Sequence, residues 1–197
     1  MHQTAVTTTI AADFRSIMAV FPTGVAIVTT LGPGGQPRGM TCSSVCSITL
    51  APPTLLVSLR CGSPTLAAIL RRETFALNLL RGDAQPAAEL FASGRPDRFD
   101  RVRWHGGPGG PELPDAAHAA AHCQVRRTER IGDHMVIFGE VFRVRLPAEP
   151  VSPLLYGLRR YTTWPQGGHP EGSSHEVSAR DVRSPRPAHP GRDRAHL

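Results

Sequence analysis

The chain has 197 residues, of which 40% are hydrophobic and 6% are aromatic, so it suits one domain with a sizeable core plus an appendage. No apolar run is long enough for a membrane span, and the N-terminus lacks the basic-then-apolar order of a signal peptide. We therefore expect no membrane association and a cytoplasmic location. The net charge of +6 comes from scattered arginines without interleaved aromatics, which argues against nucleic-acid binding.

The four cysteines show neither a C-x-x-C pair nor a zinc-ligand spacing. We expect free thiols in a reducing compartment and no metal site.

The first third of the chain predicts one helix followed by short strands. Residues 1–12 are expected to be a flexible N-terminus, and an apolar 3.6-residue period predicts a helix over 13–21. Strands are predicted over 25–30 and 38–44, joined as a hairpin by the glycine-rich turn at 32–35. Two more strands, 46–50 and 55–59, are separated by Pro52-Pro53.

The remainder mixes helices and strands. Ser63 as N-cap and Pro64 as first residue predict a helix, and Asp83 is expected to cap a second helix that continues through Phe91. Residues 104–114 are read as a loop, and strands are predicted over 75–80, 123–130 and 134–146. Many short strands with a few helices favour a mainly β, antiparallel barrel with helical insertions over a parallel Rossmann order.

Residues 165–197 hold Gly, Pro, Ser, His and Arg with hardly any large apolar side chain. Such a segment cannot bury enough surface to offset chain entropy, so we expect disorder there. The predicted organisation is a flexible segment 1–12, a domain 13–164 and a tail 165–197. The irregular spacing of the four tail histidines argues against a metal site.

Three short stretches carry candidate chemistry. The small hydroxyl residues of 39–44 would offer backbone N–H groups and hydroxyls to a flat, polar-edged ring, although an ordinary strand start has the same composition. The helix start at Pro64 would present free N–H groups to a phosphate, although Ser63 could simply cap the helix. His134 could face a redox ring near neutral pH, or be an ordinary hydrogen-bonded histidine.

Residues 14–161 resemble the flavin reductase family, the small reductase components of two-component flavin monooxygenases. The resemblance implies a split β-barrel homodimer that binds flavin at the subunit interface. It also implies hydride transfer from NADH or NADPH to N5 of FMN or FAD, and diffusion of reduced flavin to a separate monooxygenase. The matching pieces are Phe21-Pro-Thr-Gly-Val, Gly39-Met-Thr-Cys-Ser-Ser, Leu50-Ala-Pro-Pro, Phe75-Ala-Leu-Asn-Leu-Leu, Asp97-Arg-Phe, Gly132-Asp-His and Leu154-Leu-Tyr.

The resemblance also implies the site residues. His134 is the candidate catalytic residue, beside the flavin and the nicotinamide, and Asp133 could hold its imidazole. Arg98 could lie near the phosphate or the adenylate half of the flavin, or be solvated, and Tyr161 could cover the site or pack in the core. The implied flavin contacts are Met40, Thr41, Cys42, Ser43, Ser44, Ser58, Leu59, Arg60, Ser63, Thr65, Phe91, Ala92, Arg98, Asp133, His134 and Tyr161.

Two other functions remain open at this stage. One is a non-catalytic flavin-binding or electron-carrier module on the same fold, and the other is a flavin-using oxygenase or ferric reductase. The sequence does not decide between FMN and FAD, or between NADH and NADPH. No G-x-S-x-G motif is present, and nothing in the sequence demands covalent catalysis.

Overall fold

The computed structural model describes residues 2–147, 149 and 151–164. The predicted disorder of 165–197 lies outside these residues, so the predicted domain boundaries stay predictions. None of the helices in the described part of the chain combines the length and the apolarity that a bilayer crossing requires.

Three α-helices and twelve strands make up the fold of the described residues. The helices are α1 (His2–Val20), α2 (Pro64–Arg72) and α3 (Gln85–Ala92), with short 3-10 helices at Pro33–Gly35 and Arg98–Arg101. The strands are β1 (Thr23–Gly24), β2 (Ala26–Leu31), β3 (Pro37–Cys42), β4 (Val45–Leu50), β5 (Pro53–Arg60), β6 (Thr74–Leu80), β7 (His105–Gly106), β8 (Pro111–Glu112), β9 (Ala117–Ile131), β10 (His134–Arg145), β11 (Leu154–Gly157) and β12 (Arg160–Thr163).

A seven-stranded antiparallel sheet dominates the fold, in the order β3-β2-β6-β9-β10-β5-β4. A three-stranded sheet β1-β11-β12 and the small pair β7-β8 accompany it. The predicted mainly β, antiparallel class is confirmed. Closure of the sheet into a barrel and the homodimer stay predictions.

Several element bounds differ from the expectation. Helix α1 begins at His2 rather than at residue 13, and β9 begins at Ala117 rather than at 123. The expected cap by Asp83 is wrong: α3 follows Ala84 without a side-chain cap, and the Asp83 carboxylate instead lies 2.7 Å from Nε of Arg81. The expected loop 104–114 contains the two-residue strands β7 and β8.

In the described residues two apolar clusters form the core, and successive residues of the stretch 25–28 alternate between them. One cluster packs α2 against the sheet around Phe75, Ile69 and Ile137, and the other packs α3 around Phe91. Packing is close at Gly139, where an added Cβ would lie 2.6 Å from Cζ of Phe75. Glycine at this position therefore lets β10 lie against the Phe75 ring.

A buried polar network holds the segment after β7 against the sheet. The Asn78 side chain donates to the carbonyl of Pro111 at 3.2 Å and accepts from the N–H of Leu113 at 3.1 Å. His122, which is 1% exposed, lies with Nε2 2.9 Å from Glu112, and Glu112 also accepts from Arg145 at 2.6 Å. These buried polar groups form hydrogen bonds with one another, so we assign the network a structural role.

Candidate functional site

Gly39 on β3 begins the stretch 39–44, whose small polar residues we call the polar wall. Packing requires a glycine at this position. An added Cβ on Gly39 would lie 3.1 Å from both Cε1 of Phe91 and Cζ of Phe99. Two residues on, the hydroxyl of Thr41 donates to the carbonyl of Ala88 at 2.6 Å. Strand β3 is thus attached to α3, and the residues after Gly39 form a wall beside that helix.

The thiol of Cys42 is not exposed on the surface of the wall. Cys42 is 5% exposed, and its Sγ lies 3.7 Å from the carbonyl of Ser44 and 3.8 Å from that of Ser58. Burial raises the pKa of this thiol. Any contact of Cys42 with a ligand would therefore use its backbone, while the exposed Ser43 and Ser44 have side chains free to approach one.

A cleft of about 300 Å³ lies between the start of α2 and the end of α3. The hydroxyl of Ser63 accepts the N–H of Leu66 at 3.0 Å, which is the predicted N-cap. The cap leaves other first-turn N–H groups without intrahelical partners, and the helix dipole favours an anion there. We call this the α2–α3 cleft; its lining is Met40, Thr41, Ser63, Pro64, Thr65, Phe91, Ala92, Gly94 and Arg98, which includes seven of the predicted contacts.

Arg98 is a buried cation in this cleft. The residue is only 9% exposed, and its guanidinium carbon lies 6.0 Å from the centre of the Phe91 ring. Within the described residues it makes no ion pair. Burial and the neighbouring charge of Arg38 lower the pKa of Arg98. A buried charge without a counter-ion is costly, so the cleft is suited to an anionic group.

His134 begins β10 directly after the turn at Gly132, whose φ is +59°. Its Nδ1 lies 2.8 Å from the carboxylate of Asp133, which can only accept, so Nδ1 carries the proton. This hydrogen bond lowers the pKa of Asp133. The His134 side chain is 46% exposed, which leaves Nε2 available to a ligand.

Strand register places His134 near the start of α2. His134 pairs with Arg60 at the end of β5, and the N–H of Cys61 donates to the carbonyl of Asp133 at 2.7 Å. Ser63 follows two residues later. The histidine turn and the α2–α3 cleft therefore lie at the same end of β5.

Three other predicted contacts, all on β5, lie apart from the cleft. Leu59 is 1% exposed and packs in the core, so its side chain does not line the wall. Ser58 is half-buried on β5, where its N–H donates to the carbonyl of Ser44 at 3.1 Å, and Arg60 is exposed at the end of that strand.

A second groove, of about 510 Å³, adjoins the α2–α3 cleft and shares Thr41 and Ala92 with it. Tyr161 lies here, with its ring centre 5.0 Å from that of Tyr156. Burial and then the nearby Glu89 raise the pKa of Tyr161. We call it the tyrosine groove; its lining is Val25, Thr41, Ser43, Gln85, Glu89, Ala92, Tyr156, Arg159, Arg160 and Tyr161.

Sequence reasoning missed the α3 and turn residues of this groove. Gln85, Glu89 and Arg160 carry no local motif, and they reach one groove only through the pairing of distant strands. In the described part of the chain, no three His, Cys, Asp or Glu side chains converge as metal ligands.

The model of the flavin reductase-like domain matches residues 18–165. The chain belongs to the flavin reductase-like domain family. The resemblance seen in the sequence is therefore confirmed, and the residues of the α2–α3 cleft and of the histidine turn all lie within the matched range.

Relatives of this flavin reductase-like protein share most of its length. An NADPH flavin reductase of Lentzea aerocolonigenes is 47% identical over 160 residues, covering 80% of this chain and 92% of its own. An NADH:FAD oxidoreductase of Streptomyces globisporus, solved with NAD and FAD fragments, is 32% identical with a TM-score of 0.73. The match covers 80% of this chain and 94% of the oxidoreductase. A homologue of nitrilotriacetate monooxygenase component B from Mycobacterium thermoresistibile is 30% identical with a TM-score of 0.75. The match covers 90% of this chain and 97% of the homologue.

Proposed function

We propose that this protein reduces FMN or FAD with NADH or NADPH. The observation that carries the proposal is Arg98, a 9% exposed cation that lines a cleft beside the start of α2. A flavin phosphate would supply the missing counter-ion, and Ser63 and Thr65 would add hydroxyls at the helix start. The names of the relatives, NADPH flavin reductase and NADH:FAD oxidoreductase, support the same activity.

When bound, the flavin supplies N5 as the acceptor for the hydride that leaves C4 of the nicotinamide. The protein's part is placement. With the phosphate held by Arg98 and the first turn of α2, the ring would extend along the wall formed by Met40, Ser43 and Ser44. Backbone N–H groups and hydroxyls of that wall would contact the polar edge of the ring. A bound geometry of this kind replaces an encounter between two diffusing molecules.

His134 is proposed to position the nicotinamide or to donate a hydrogen bond as the flavin gains charge. Its ring is oriented by Asp133 through the 2.8 Å contact at Nδ1. The turn that carries it is tied to β5 by the hydrogen bond from Cys61 to Asp133. Nε2 is therefore the atom that would face the ligands.

We also propose that reduced flavin leaves to serve a separate monooxygenase. The structural similarity to a monooxygenase component B homologue supports this role. The expected cytoplasmic location stays a prediction.

A homodimer is proposed from exposed apolar side chains on two elements. On α1, Phe14 is 62% exposed and Ile17 is 64% exposed, and Leu50 at the end of β4 is 85% exposed. A single copy leaves these large apolar side chains in water, and their burial against a second copy would be favourable. Sedimentation equilibrium of the wild type and of Phe14→Glu tests this proposal: a monomeric wild type would contradict it.

The enzymatic proposal is tested by mixing the purified protein with NADH or NADPH and with FMN or FAD in all four combinations. Nicotinamide oxidation is followed by its absorbance. We expect turnover with at least one pair. A protein that binds flavin but oxidises neither donor would be a non-catalytic flavin-binding module. This is one of the alternative functions that the sequence leaves open.

A further inference from the structure

A glycine-rich turn closes over the buried imidazole of His122. We call residues 107–110, which join β7 to β8, the glycine segment. An added Cβ on Gly107 would lie 2.5 Å from Cε1 of His122, so glycine lets this segment approach the ring closely. The ring of Phe142 also lies beside it, with ring centres 6.3 Å apart. His122 is thus enclosed, and a change in its protonation acts directly on the backbone that covers it.

The hydrogen bonds of His122 define its protonation state. The backbone N–H of Gly109 donates to Nδ1 at 3.1 Å, so Nδ1 carries no proton. Nε2 lies 2.9 Å from the carboxylate of Glu112. Burial by itself would raise the pKa of Glu112, but hydrogen bonds from Arg145 and His122 lower it, so this carboxylate is charged and can only accept. Nε2 therefore carries the single proton, and the imidazole is neutral.

A second proton on this imidazole is incompatible with the arrangement. The proton would have to be placed on Nδ1, toward which the N–H of Gly109 already points, so two donors would meet in a buried site. The backbone N–H would lose its acceptor, which is unfavourable for a buried donor. Histidine side chains in water gain this proton close to neutral pH, so an ordinary change in pH supplies it.

The charges around His122 do not supply a new acceptor for Gly109. Glu112 would attract an imidazolium, but its carboxylate also accepts from Arg145 at 2.6 Å, whose positive charge opposes a second proton. Arg143 lies opposite His122 in the strand register and is a further cation. The remaining titratable groups beside this network are histidines, which become cations in acid: His105, in register with Glu112, and His118, whose carbonyl accepts from Arg145.

The base of the glycine segment is linked to the α2–α3 cleft through aromatic rings. Trp104 immediately precedes β7 and meets Phe99 edge to face, with ring centres 5.9 Å apart. Phe99 in turn meets Phe91, whose face carries Arg98. A displacement of the segment would therefore reach the aromatic support of Arg98 through contacts that are already made.

We propose that His122 is a pH-sensitive latch on the glycine segment. Neutral His122 holds the segment against the sheet through the N–H of Gly109. A second proton releases the segment, and its release weakens the binding of a phosphate at Arg98. The release is independent of the proposed function, whereas its effect on flavin rests on that function.

Hydrogen exchange of residues 104–113 in the full-length, flavin-free protein tests the release, with rates corrected for the intrinsic pH dependence of amide exchange. Between about pH 8 and pH 5.5 the wild type should lose about tenfold in protection, the effect of one lost buried hydrogen bond. His122→Asn keeps an oxygen acceptor for Gly109 but does not titrate, so its protection should not change. The matched control is His105→Asn, which removes an exposed histidine from β7 and should behave as the wild type does.

The latch is overturned if the wild type loses no protection in acid, or if His122→Asn loses as much as the wild type. If His122→Asn does not fold, Glu112→Gln takes its place. This variant lacks the charge that attracts the imidazolium, so the loss of protection should move to lower pH. A transition at an unchanged pH would also overturn the latch.

FMN titrations at the same two pH values test the effect on the cleft. The phosphate of FMN itself titrates in this range, so the change in affinity is compared with that of His122→Asn. On acidification the wild type should lose at least about fivefold more affinity than this variant. Equal losses would overturn the link to Arg98. A protein that binds no FMN at either pH would instead contradict the proposed function, while hydrogen exchange still decides the latch.

Discussion

Arg98 lies over the face of Phe91, with its guanidinium carbon 6.0 Å from the ring centre. Phe91 in turn meets Phe99 edge to face at 4.9 Å, and both rings pack against Gly39. The same aromatic pair therefore supports the cation and the polar wall on β3. This arrangement relates ligand binding to the fold, because Arg98 is held in position before any anion arrives.

Arg98→Met should separate stability from ligand binding. Methionine keeps an unbranched, apolar side chain on Phe91 while removing a buried charge that has no ion-pair partner, so the melting temperature without flavin should stay equal or rise. The affinity for FMN should fall by about 10- to 100-fold, because a charge-assisted contact to the phosphate is lost.

The control for that prediction is Arg101→Met in the same 3-10 helix, where the arginine is exposed and pairs with Asp97 at 2.7 Å. It should leave FMN affinity unchanged. Equal FMN affinities for the Arg98 variant and the wild type would contradict the phosphate role.

His134→Ala should slow turnover more than it weakens flavin binding. The imidazole is proposed to act on the reacting rings, so kcat should fall by about 100-fold while the Kd for FMN changes little. Asp133→Asn keeps a hydrogen-bond acceptor for Nδ1 of His134, so kcat should fall much less in this variant. Stopped-flow reduction and flavin titration give the two quantities, and an unchanged kcat in His134→Ala would remove the histidine from the mechanism.

Gly139→Ala should destabilise the protein by about 1–3 kcal/mol through overpacking. The added methyl would lie 2.6 Å from Cζ of Phe75 and 2.9 Å from Cβ of Cys123, in the centre of the core. Gly106→Ala is the matched control, because its Cβ would meet nothing within 4 Å. Urea denaturation measures both variants, and equal midpoints for them would refute the close approach of β10 to Phe75.

The buried thiol of Cys123 should make stability fall at high pH. Burial raises the pKa of this thiol to about 12, above its value of 9.0 in the unfolded chain. The folded state therefore keeps a proton that the unfolded state releases, so stability is complete below about pH 9 and decreases between pH 9 and 12. The limiting slope is about 1.4 kcal/mol per pH unit for one group.

Cys123→Ala should flatten that decrease, whereas Cys46→Ala, which removes an exposed thiol, should not. Free energies of unfolding measured across this pH range provide the comparison. Parallel curves for the wild type and Cys123→Ala would show that the buried thiol does not contribute.

The sequence predicted the strands with β-branched periodicity and the capped start of α2, because those signals are local. It did not predict the beginning of β9 at Ala117, since alanine has little strand preference and this segment is held by pairing with β6. The bond from Asn78 to Pro111 likewise shows how the 104–114 segment obtains order from distant partners.

The residues of the candidate site show the same difference between local signals and long-range pairing. The residues beside the start of α2 share recognisable local patterns, and the structure brings seven of them to one cleft. The tyrosine groove depends on register between segments far apart in the chain, since Thr23 in β1 pairs with Tyr156 and Leu155 pairs with Gly24. No local pattern at Arg159 or Glu89 indicates that these side chains meet.

Anaerobic mixing of the protein and oxidised flavin with NADH or NADPH tests the central claim most directly. The proposal predicts that the visible absorbance of the flavin is lost at a rate that depends on the protein and falls sharply in His134→Ala. Flavin that binds the protein but keeps its absorbance with both donors would contradict the assignment of flavin reduction to this site.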